Sequence, residues 1–353
     1  MGVRMVFLAA DIGGTQTRLL LGEPCATGWR CIRQQSFLGH DYPSLEALLE
    51  VFLSSGERPQ VACIAVAGPL EGQQIQMTNL PWLLDAERIS GQFGIATVRL
   101  LNDFTAQAHG LNALPASDLC TLQAGVPQAD GVRALIGAGT GLGMALLVPC
   151  AGLWQALPSQ GGLADFAPRG AEQLALCQAL QSAYGRVSQE LLLCGHGLER
   201  IYSFLAGHGV LLNDTSLGAR AISLAAEQHE PLACAALGLF AQIFAASAGN
   251  LALFSLAHGG VYLSGGMAPK MLSFLQTPAV LEAFVNKPPM RELLQSIPLH
   301  VVLNEQLGLF GAASLAAQLC RDSAAASGRS AMCAATQDLA AQLCPNAAAT
   351  GAS

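Results

Sequence analysis

"FLAADIGGTQTRLLLGE", residues 7–23, and "ALIGAGTGLGMALLVP", residues 134–149, follow one plan. Each is an apolar run, a glycine-rich turn with a threonine in it, and a second apolar run. Each reads as a β-hairpin whose turn exposes several backbone N–H groups and a hydroxyl. Glycine removes the side chains that would keep an anion from the backbone, so such turns can cradle phosphate oxygens. One hairpin of this kind is as readily an ordinary turn. Two, about 125 residues apart, point to a duplicated fold with a nucleotide between its halves.

The segments around the hairpins fit that plan. "VACIAVAGPL" (61–70) and "GGVYLSGGMAP" (259–269) read as buried strands ending in Gly-Pro and Gly-Gly turns. "LEALLEVFLSS" (45–55) and "LACAALGLFAQIFAASAGNLALF" (232–254) have helical apolar periodicity. Strands alternating with helices define an α/β protein, and 353 residues suffice for two domains. A chain that is 52% hydrophobic and 12% charged is not disordered. Its apolar runs read as too short and too interrupted to span a bilayer. The start, "MGVRMVFLAADIGG", lacks a small-residue cleavage site and is broken by Asp11 and two glycines, so it reads as the first buried strand of a cytoplasmic protein. Beyond Arg321, residues 322–353 turn to Ala and Ser and are expected to form a poorly ordered tail, with a loose helix as the alternative.

The net charge of −7, without a run of Lys or Arg, excludes a nucleic-acid footprint. Small anions held by loop N–H groups remain open. The eleven cysteines contain no C-x-x-C pair, and most, such as Cys63, Cys177 and Cys194, stand in apolar segments. They read as small buried hydrophobes in a reducing compartment. The seven histidines show no metal-ligand spacing. Neither a G-x-x-x-x-G-K-[ST] loop nor a dinucleotide fingerprint occurs.

"TVRLLNDFTAQAHGL" (97–111) ends an apolar run, Val98 to Leu101, in Asn102 and Asp103, and a helical stretch follows. Asp103 is either a helix cap or, at the carboxyl end of a sheet strand, a catalytic acid.

Taken in order, these segments resemble bacterial glucokinase, of the hexokinase–actin superfamily. "DIGGTQTRL" (11–19) and "GAGTGLGMALL" (137–147) look like that family's two phosphate motifs. "MTNLPW" (77–82) resembles its sugar-side segment, "LLNDFTA" (100–106) the segment with its catalytic Asp, and "AGNLALFSLAHGGVYLSGGMAP" (248–269) its adenosine region. The matches cover about residues 1 to 320, and the Cys-rich zinc motif of the related repressor-type sugar kinases is absent. The resemblance implies an actin-like ATPase (ribonuclease H-like) α/β fold of two domains with a central cleft. The smaller would hold 1–112 plus 301–321, and the larger 113–300. It also implies ATP-dependent phosphorylation of the 6-hydroxyl of glucose with Mg²⁺. The partners would be a sugar and a nucleotide, with no nucleic acid or membrane, and a homodimer is compatible with it. Two rivals stay open: a sugar or nucleotide sensor with little turnover, and a kinase for a different hexose.

The resemblance also assigns roles. Asp103 is the general base and Asn102 hydrogen-bonds the sugar. Gly13, Gly14 and Thr15 meet one side of the phosphates, and Gly139, Thr140 and Gly141 the other. Asp11 orients Mg²⁺ through water, while Gly265 and Gly266 let the backbone approach the adenosine. Asn79 and Glu190 match sugar ligands. The residues alone explain Asn79 as well by a turn before Pro81, and Glu190 by an acid in a first helical turn after Ser188. Gly195 and Gly197 read as helix punctuation. Where the family has G-E-G-G-H this chain has Ser159-Gln160-Gly161-Gly162-Leu163. Gln160 keeps the shape of the sugar-contacting Glu without its charge, and Leu163 has no polar side-chain atom. Gln16 replaces the usual Asn of the first phosphate motif. The phosphate-handling half is kept and the sugar-reading half is altered.

Overall fold

β1 (Phe7–Ile12) is buried along almost its whole length, as an apolar run without polar alternation requires of a strand covered on both faces. The computed structural model describes residues 5–14, 16–68, 70–77, 79–212 and 217–343, with side chains described to residue 325. β1 pairs antiparallel with β2 (Gln16–Cys25), Ile12 opposite Thr17, and β2 continues antiparallel into β3 (Gly28–Leu38). On its other side β1 runs parallel to β4 (Val61–Val66), Asp11 opposite Ala65. β5 (Gln74–Gln76) and β6 (Leu83–Asp85) form a small ribbon, and β7 (Thr97–Asn102) completes a five-stranded sheet of order β3-β2-β1-β4-β7. Leu8, Leu19, Ile64 and Trp82 share its core with Leu48 and Leu49 of helix α1 (Leu45–Phe52) and Ile89 of α2 (Ala86–Phe93).

The second sheet repeats the first. After β8 (Leu119–Gln123), β9 (Arg133–Ala138) pairs antiparallel with β10 (Leu142–Cys150), which pairs antiparallel with β11 (Leu153–Ser159). β9 also runs parallel to β12 (Gly260–Ser264), and β12 to β13 (Leu299–Val302), giving β11-β10-β9-β12-β13-β8. A hairpin with a third antiparallel strand on one side and a parallel strand on the other thus occurs twice, each time with a glycine turn at the hairpin's tip. That is the duplication the two quoted stretches announce.

The chain divides into two compact units, 1–101 with 312–353, and 102–311. Residues 102–112 and 301–311, expected in the smaller unit, cluster with the larger. α3 (Asp103–Gly110) packs on β10 and β11, and Gly311 lies against Ala106 of α3. The larger unit carries α4 (Gly170–Tyr184), α5 (Gly195–Leu205), α6 (Ala219–Glu227), α7 (Pro231–Ser255), α8 (Leu272–Leu275), α9 (Pro278–Val285) and α10 (Arg291–Ser296). Among the described residues α7 is long and apolar enough to cross a bilayer, against the expectation that no run would be. Its most apolar window is 72% buried inside the fold, because Phe240, Phe244 and its alanines form the core beside the second sheet. α11 (Leu307–Leu343) passes into the first unit, where Ser314 accepts from the Trp29 indole and Arg321 donates to the Gly28 carbonyl. Its backbone stays helical through the Ala-rich segment expected as a tail, the helical alternative, as alanine's helix propensity favours. Residues 344–353 lie outside the described ones.

Candidate active site

In the first unit the β1–β2 turn is closed by the Gly13 N–H donating to the Gln16 carbonyl at 3.0 Å. A Cβ on Gly14 would stand 3.0 Å from Nδ2 of Asn79, so this exposed amide lies directly against the turn. The "MTNLPW" loop holds Asn79 there: Met77 N–H donates to the Trp82 carbonyl at 3.0 Å, and the buried Trp82 ring donates to the Tyr42 carbonyl. Asn79 is therefore both a turn residue and a neighbour of the proposed phosphate turn. Thr15 lies outside the described residues. Asp11, one residue before the end of β1, is paired with Arg18 at 3.6 Å. Burial pushes its carboxyl above the usual range, and the Arg18 charge pulls the other way.

In the second unit Gly139 N–H donates to the Gly141 carbonyl at 2.9 Å, closing the β9–β10 turn. A side chain on Gly139 would enter open space, whereas one on Gly141 would meet Oε2 of Glu190 at 2.7 Å. Glu190 Oε2 accepts from the Leu142 N–H at 2.9 Å, and the Glu190 N–H donates to the Gly162 carbonyl at 2.9 Å. The Glu190 carboxylate is thus fixed to the second glycine turn, and its backbone to the short 3₁₀ turn Gly161–Leu163. The segment around Glu190 is a turn and not a helix: Ser188 accepts from the Leu191 N–H, but helix α5 begins only at Gly195. Gln160 precedes the 3₁₀ turn and Leu163 is its last residue, and both are exposed. Gly195 and Gly197 punctuate the start of α5 and not an end. Gly195 N–H donates to the Gly139 carbonyl, and Gly197 N–H to Sγ of Cys194, a cap that an apolar reading of this cysteine misses.

The cap of α3 is settled by geometry. Oδ1 of Asn102 accepts from the N–H groups of Phe104 (3.0 Å) and Thr105 (3.3 Å), so Asn102 is the N-cap and half-buried Asp103 the first helical residue. The cap explanation of Asp103 is thereby corrected: an amide at the strand end already meets the orphan donors. The next residue, Phe104, puts its ring into the hollow between Gly137 and Gly143, and Ser264 of β12 donates to Gln107 of α3 at 3.1 Å. The start of α3, and with it Asp103, is anchored to the hairpin that bears Gly139–Gly141.

A cavity of about 760 Å³ opens beside that hairpin, with Gly139, Thr140, Gly266, Arg220, Ser223 and Lys270 in its wall. Gly266 has free space where a Cβ would be, as an approaching ligand needs. Gly265 differs: at φ +83° its missing Cβ makes room for the Ala138 backbone, so it shapes the β12 turn against β9. Arg220, Ser223 and Lys270 went unnoticed in the sequence because they stand on or after helices without a motif. The two bases share the wall with two acids, Glu199 and Glu227, so the cavity has no net charge of its own, and its size and its glycine side suit a ligand as large as a nucleotide. Among the described residues no group of three or more His, Cys, Asp or Glu side chains could hold a metal. A single half-buried carboxylate, Asp11, beside a glycine turn still fits Mg²⁺, which keeps much of its water and takes substrate phosphates as ligands.

A family profile described as Glucokinase matches residues 8–319. The chain is 38% identical over 339 residues to the glucokinase of Nostoc punctiforme, covering 89% of this chain and 99% of that protein. It is 38% identical over 316 residues to the glucokinase of Psychromonas ingrahamii, covering 88% and 96%. Among solved structures, glucokinase from an Antarctic psychrotroph superposes with a TM-score of 0.81 at 30% identity, over 88% of this chain and 98% of that one. A ROK family glucokinase from Streptomyces griseus, in complex with glucose and AMPPNP, shares the fold with a TM-score of 0.55 at 20% identity, over 89% and 99%.

Proposed function

The chain belongs to the glucokinase family, and from that premise we propose that it transfers the γ-phosphoryl group of ATP to the 6-hydroxyl of glucose. It is a sugar kinase of the actin-like ATPase fold. Such a transfer asks the protein mainly for positioning and charge stabilisation, plus a group that takes the hydroxyl proton. The observation that carries the reading is the division of labour at the start of α3. Asn102 caps the helix, and Asp103 stands at its first position, anchored through Phe104 to the Gly139–Gly141 hairpin.

In this reading Asp103 accepts the proton of the sugar hydroxyl as that oxygen attacks phosphorus. Gly139, Thr140 and Gly141 hold phosphate oxygens, as do Gly13, Gly14 and Thr15, and Gly266 passes the adenosine. Gly265 supports that passage from behind. Asn79, Glu190, Gln160 and Asn102 hold the sugar; because Oδ1 of Asn102 is engaged in the cap, its sugar contact falls to Nδ2. Asp11 would hold Mg²⁺ through water, and the ion supplies charge neutralisation on the phosphate oxygens. In the same proposal the enzyme works in the cytoplasm on a sugar and a nucleotide, without nucleic acid or membrane as partner. A homodimer belongs to the same proposal and is checked by light scattering.

A coupled assay of ADP release over a panel of hexoses, with Asp103→Ala as control, tests the reading. Glucose-dependent release that vanishes in the variant is expected; release that ignores glucose, or survives Asp103→Ala, overturns it. One observation favours a second reading, a different hexose: Leu163, 46% exposed, offers no polar atom where the family resemblance expects a sugar contact. The same panel decides between the two.

A further inference from the structure

A second cavity, of about 330 Å³, lies elsewhere in the larger unit, where α7 meets the segment after α9. Its wall includes Arg169, Gln189, Ser247, Asn250 and Lys287. Two of these are buried polar side chains, Gln189 at 6% exposure and Ser247 at 5%. Oε1 of Gln189 has no hydrogen-bond partner within the protein, a costly state for an acceptor removed from water.

Two cations face this acceptor's cavity without an acid. Lys287 donates to Oδ1 of Asn250 at 2.6 Å, and Arg169 donates to the Ala283 carbonyl at 2.7 Å and to that of Asn286. Among the described residues neither has a carboxylate within ion-pair distance. Glu282, which feels the Arg169 charge, is held by both terminal nitrogens of Arg291. The lysine has a place made for it: a Cβ on Gly249 would stand 2.6 Å from Lys287 Cε, so glycine at that point of α7 lets the stem lie against the helix. Burial, and then the Arg169 charge, lower the Lys287 amine to about 8, as expected of a cation without a counter-charge.

We propose that this cavity is a second binding site, for a small organic anion that carries a hydroxyl: the anionic group pairs with Lys287 and the hydroxyl hydrogen-bonds the side-chain amide of Gln189 in the wall. Charge-assisted hydrogen bonds to a partly buried ammonium are the strong kind, and a second bond to the Gln189 amide fixes the ligand's orientation. The volume suits a skeleton of a few carbons, at the small end of ligand pockets. Gln189 is next to Glu190, but the site takes no part in the kinase reading and stands apart from it.

The test is calorimetric titration of the full chain, with glucose and a non-hydrolysable ATP analogue saturating the catalytic site. The probes are glycerol 3-phosphate, glycerate, glycerol and inorganic phosphate. Glycerol 3-phosphate or glycerate should bind once per chain, inorganic phosphate more weakly, and glycerol not at all. Lys287→Gln and Gln189→Leu should each weaken that binding by at least about tenfold. Absence of heat from both hydroxylated anions at millimolar concentration overturns the proposal. So does equal affinity for glycerol or inorganic phosphate. So does unchanged binding in folded Lys287→Gln, or in Lys287→Met should the first variant not fold.

Discussion

The ring of Phe104 sits over Gly143 so closely that a Cβ on that glycine would lie 2.0 Å from two ring carbons. Gly137, opposite Gly143 in the β9–β10 register, leaves the other half of the hollow. Asp103 precedes Phe104, and Gly139–Gly141 follow Gly137, so one aromatic plug ties the proposed base to the proposed phosphate turn. Gly143→Ala must therefore push the ring out, and overpacking of this kind costs about 1–3 kcal/mol. The denaturation midpoint should fall, and kcat should drop at least about tenfold because the base shifts from its place. Adding Phe104→Leu should restore stability beyond the sum of the single changes. Simple additivity in a double-mutant cycle would deny the plug its role.

Asn102 and Asp103 should separate stability from activity. Removing the cap by Asn102→Ala is expected to cost about 0.5–2 kcal/mol in chemical denaturation. Asp103→Ala should cost no more than about 1 kcal/mol, the worth of an acid near a helix N-terminus. Its kcat should nevertheless fall by about 10²–10⁴, with ATP affinity largely kept. A loss below about tenfold would return Asp103 to a structural role.

The two glycines of the β9–β10 turn, Gly139 and Gly141, should respond differently to a side chain. Gly139 faces open space, so Gly139→Val is expected to leave the fold intact and weaken ATP binding by blocking the backbone. Gly141→Val meets the Glu190 carboxylate first, 2.7 Å from its Cβ, so it should raise the KM for glucose as well. Calorimetry with ATP and a glucose saturation curve give the two readouts. Undiminished ATP affinity in folded Gly139→Val would remove that turn from the phosphate site.

Much of this was legible in residues 7–23 and 134–149, because a hairpin's apolar period and its glycine turn are local properties of the chain. The same holds for the strand end at Asn102. Which of Asn102 and Asp103 caps the helix was not legible, since both are good caps and the choice depends on where the strand releases the backbone. Glu190 illustrates a second limit: an acid two residues after a serine looks like a helix start, yet the turn there is held by the Gly162 carbonyl, far away in sequence. Long α7 was judged too interrupted for a bilayer, when its small residues serve close packing inside the fold. Arg220 and Lys270 had no signal, because a cavity wall assembled from separate helices leaves no spacing in the sequence.

Stability should depend on acid through His109, in the last turn of α3. Burial lowers its imidazole from 6.5 to about 4, so the unfolded chain takes up a proton at higher pH than the folded one. The neutral ring's advantage is complete above pH 6.5 and is lost as the pH falls towards about 4. By linkage the loss amounts to about 3 kcal/mol, an order of magnitude for one group. Urea midpoints measured across that interval should fall, and His109→Gln should flatten the fall. An equal slope in the variant would place the acid sensitivity elsewhere.

The last expectation concerns the altered sugar motif. Gly162, between Gln160 and Leu163, accepts from the Glu190 N–H, so the 3₁₀ turn and the Glu190 carboxylate move together. If Gln160 and Leu163 stand where the family's Glu and His do, glucose meets an uncharged acceptor and a side chain with no polar atom. A hydrogen bond to a charged group contributes about 1.5–3 kcal/mol and a neutral one about half that. A hydroxyl left facing Leu163 without a partner adds about 1–3 kcal/mol of cost. The wild type should therefore bind glucose about a hundredfold more weakly than a chain with both polar groups. Gln160→Glu together with Leu163→His is expected to raise kcat/KM for glucose at least about tenfold, by way of KM. Each single change should give part of the gain. An efficient wild type that gains nothing from the double change would mean that the exposed ends of this turn do not face the sugar, and that Glu190 and Asn79 read it alone.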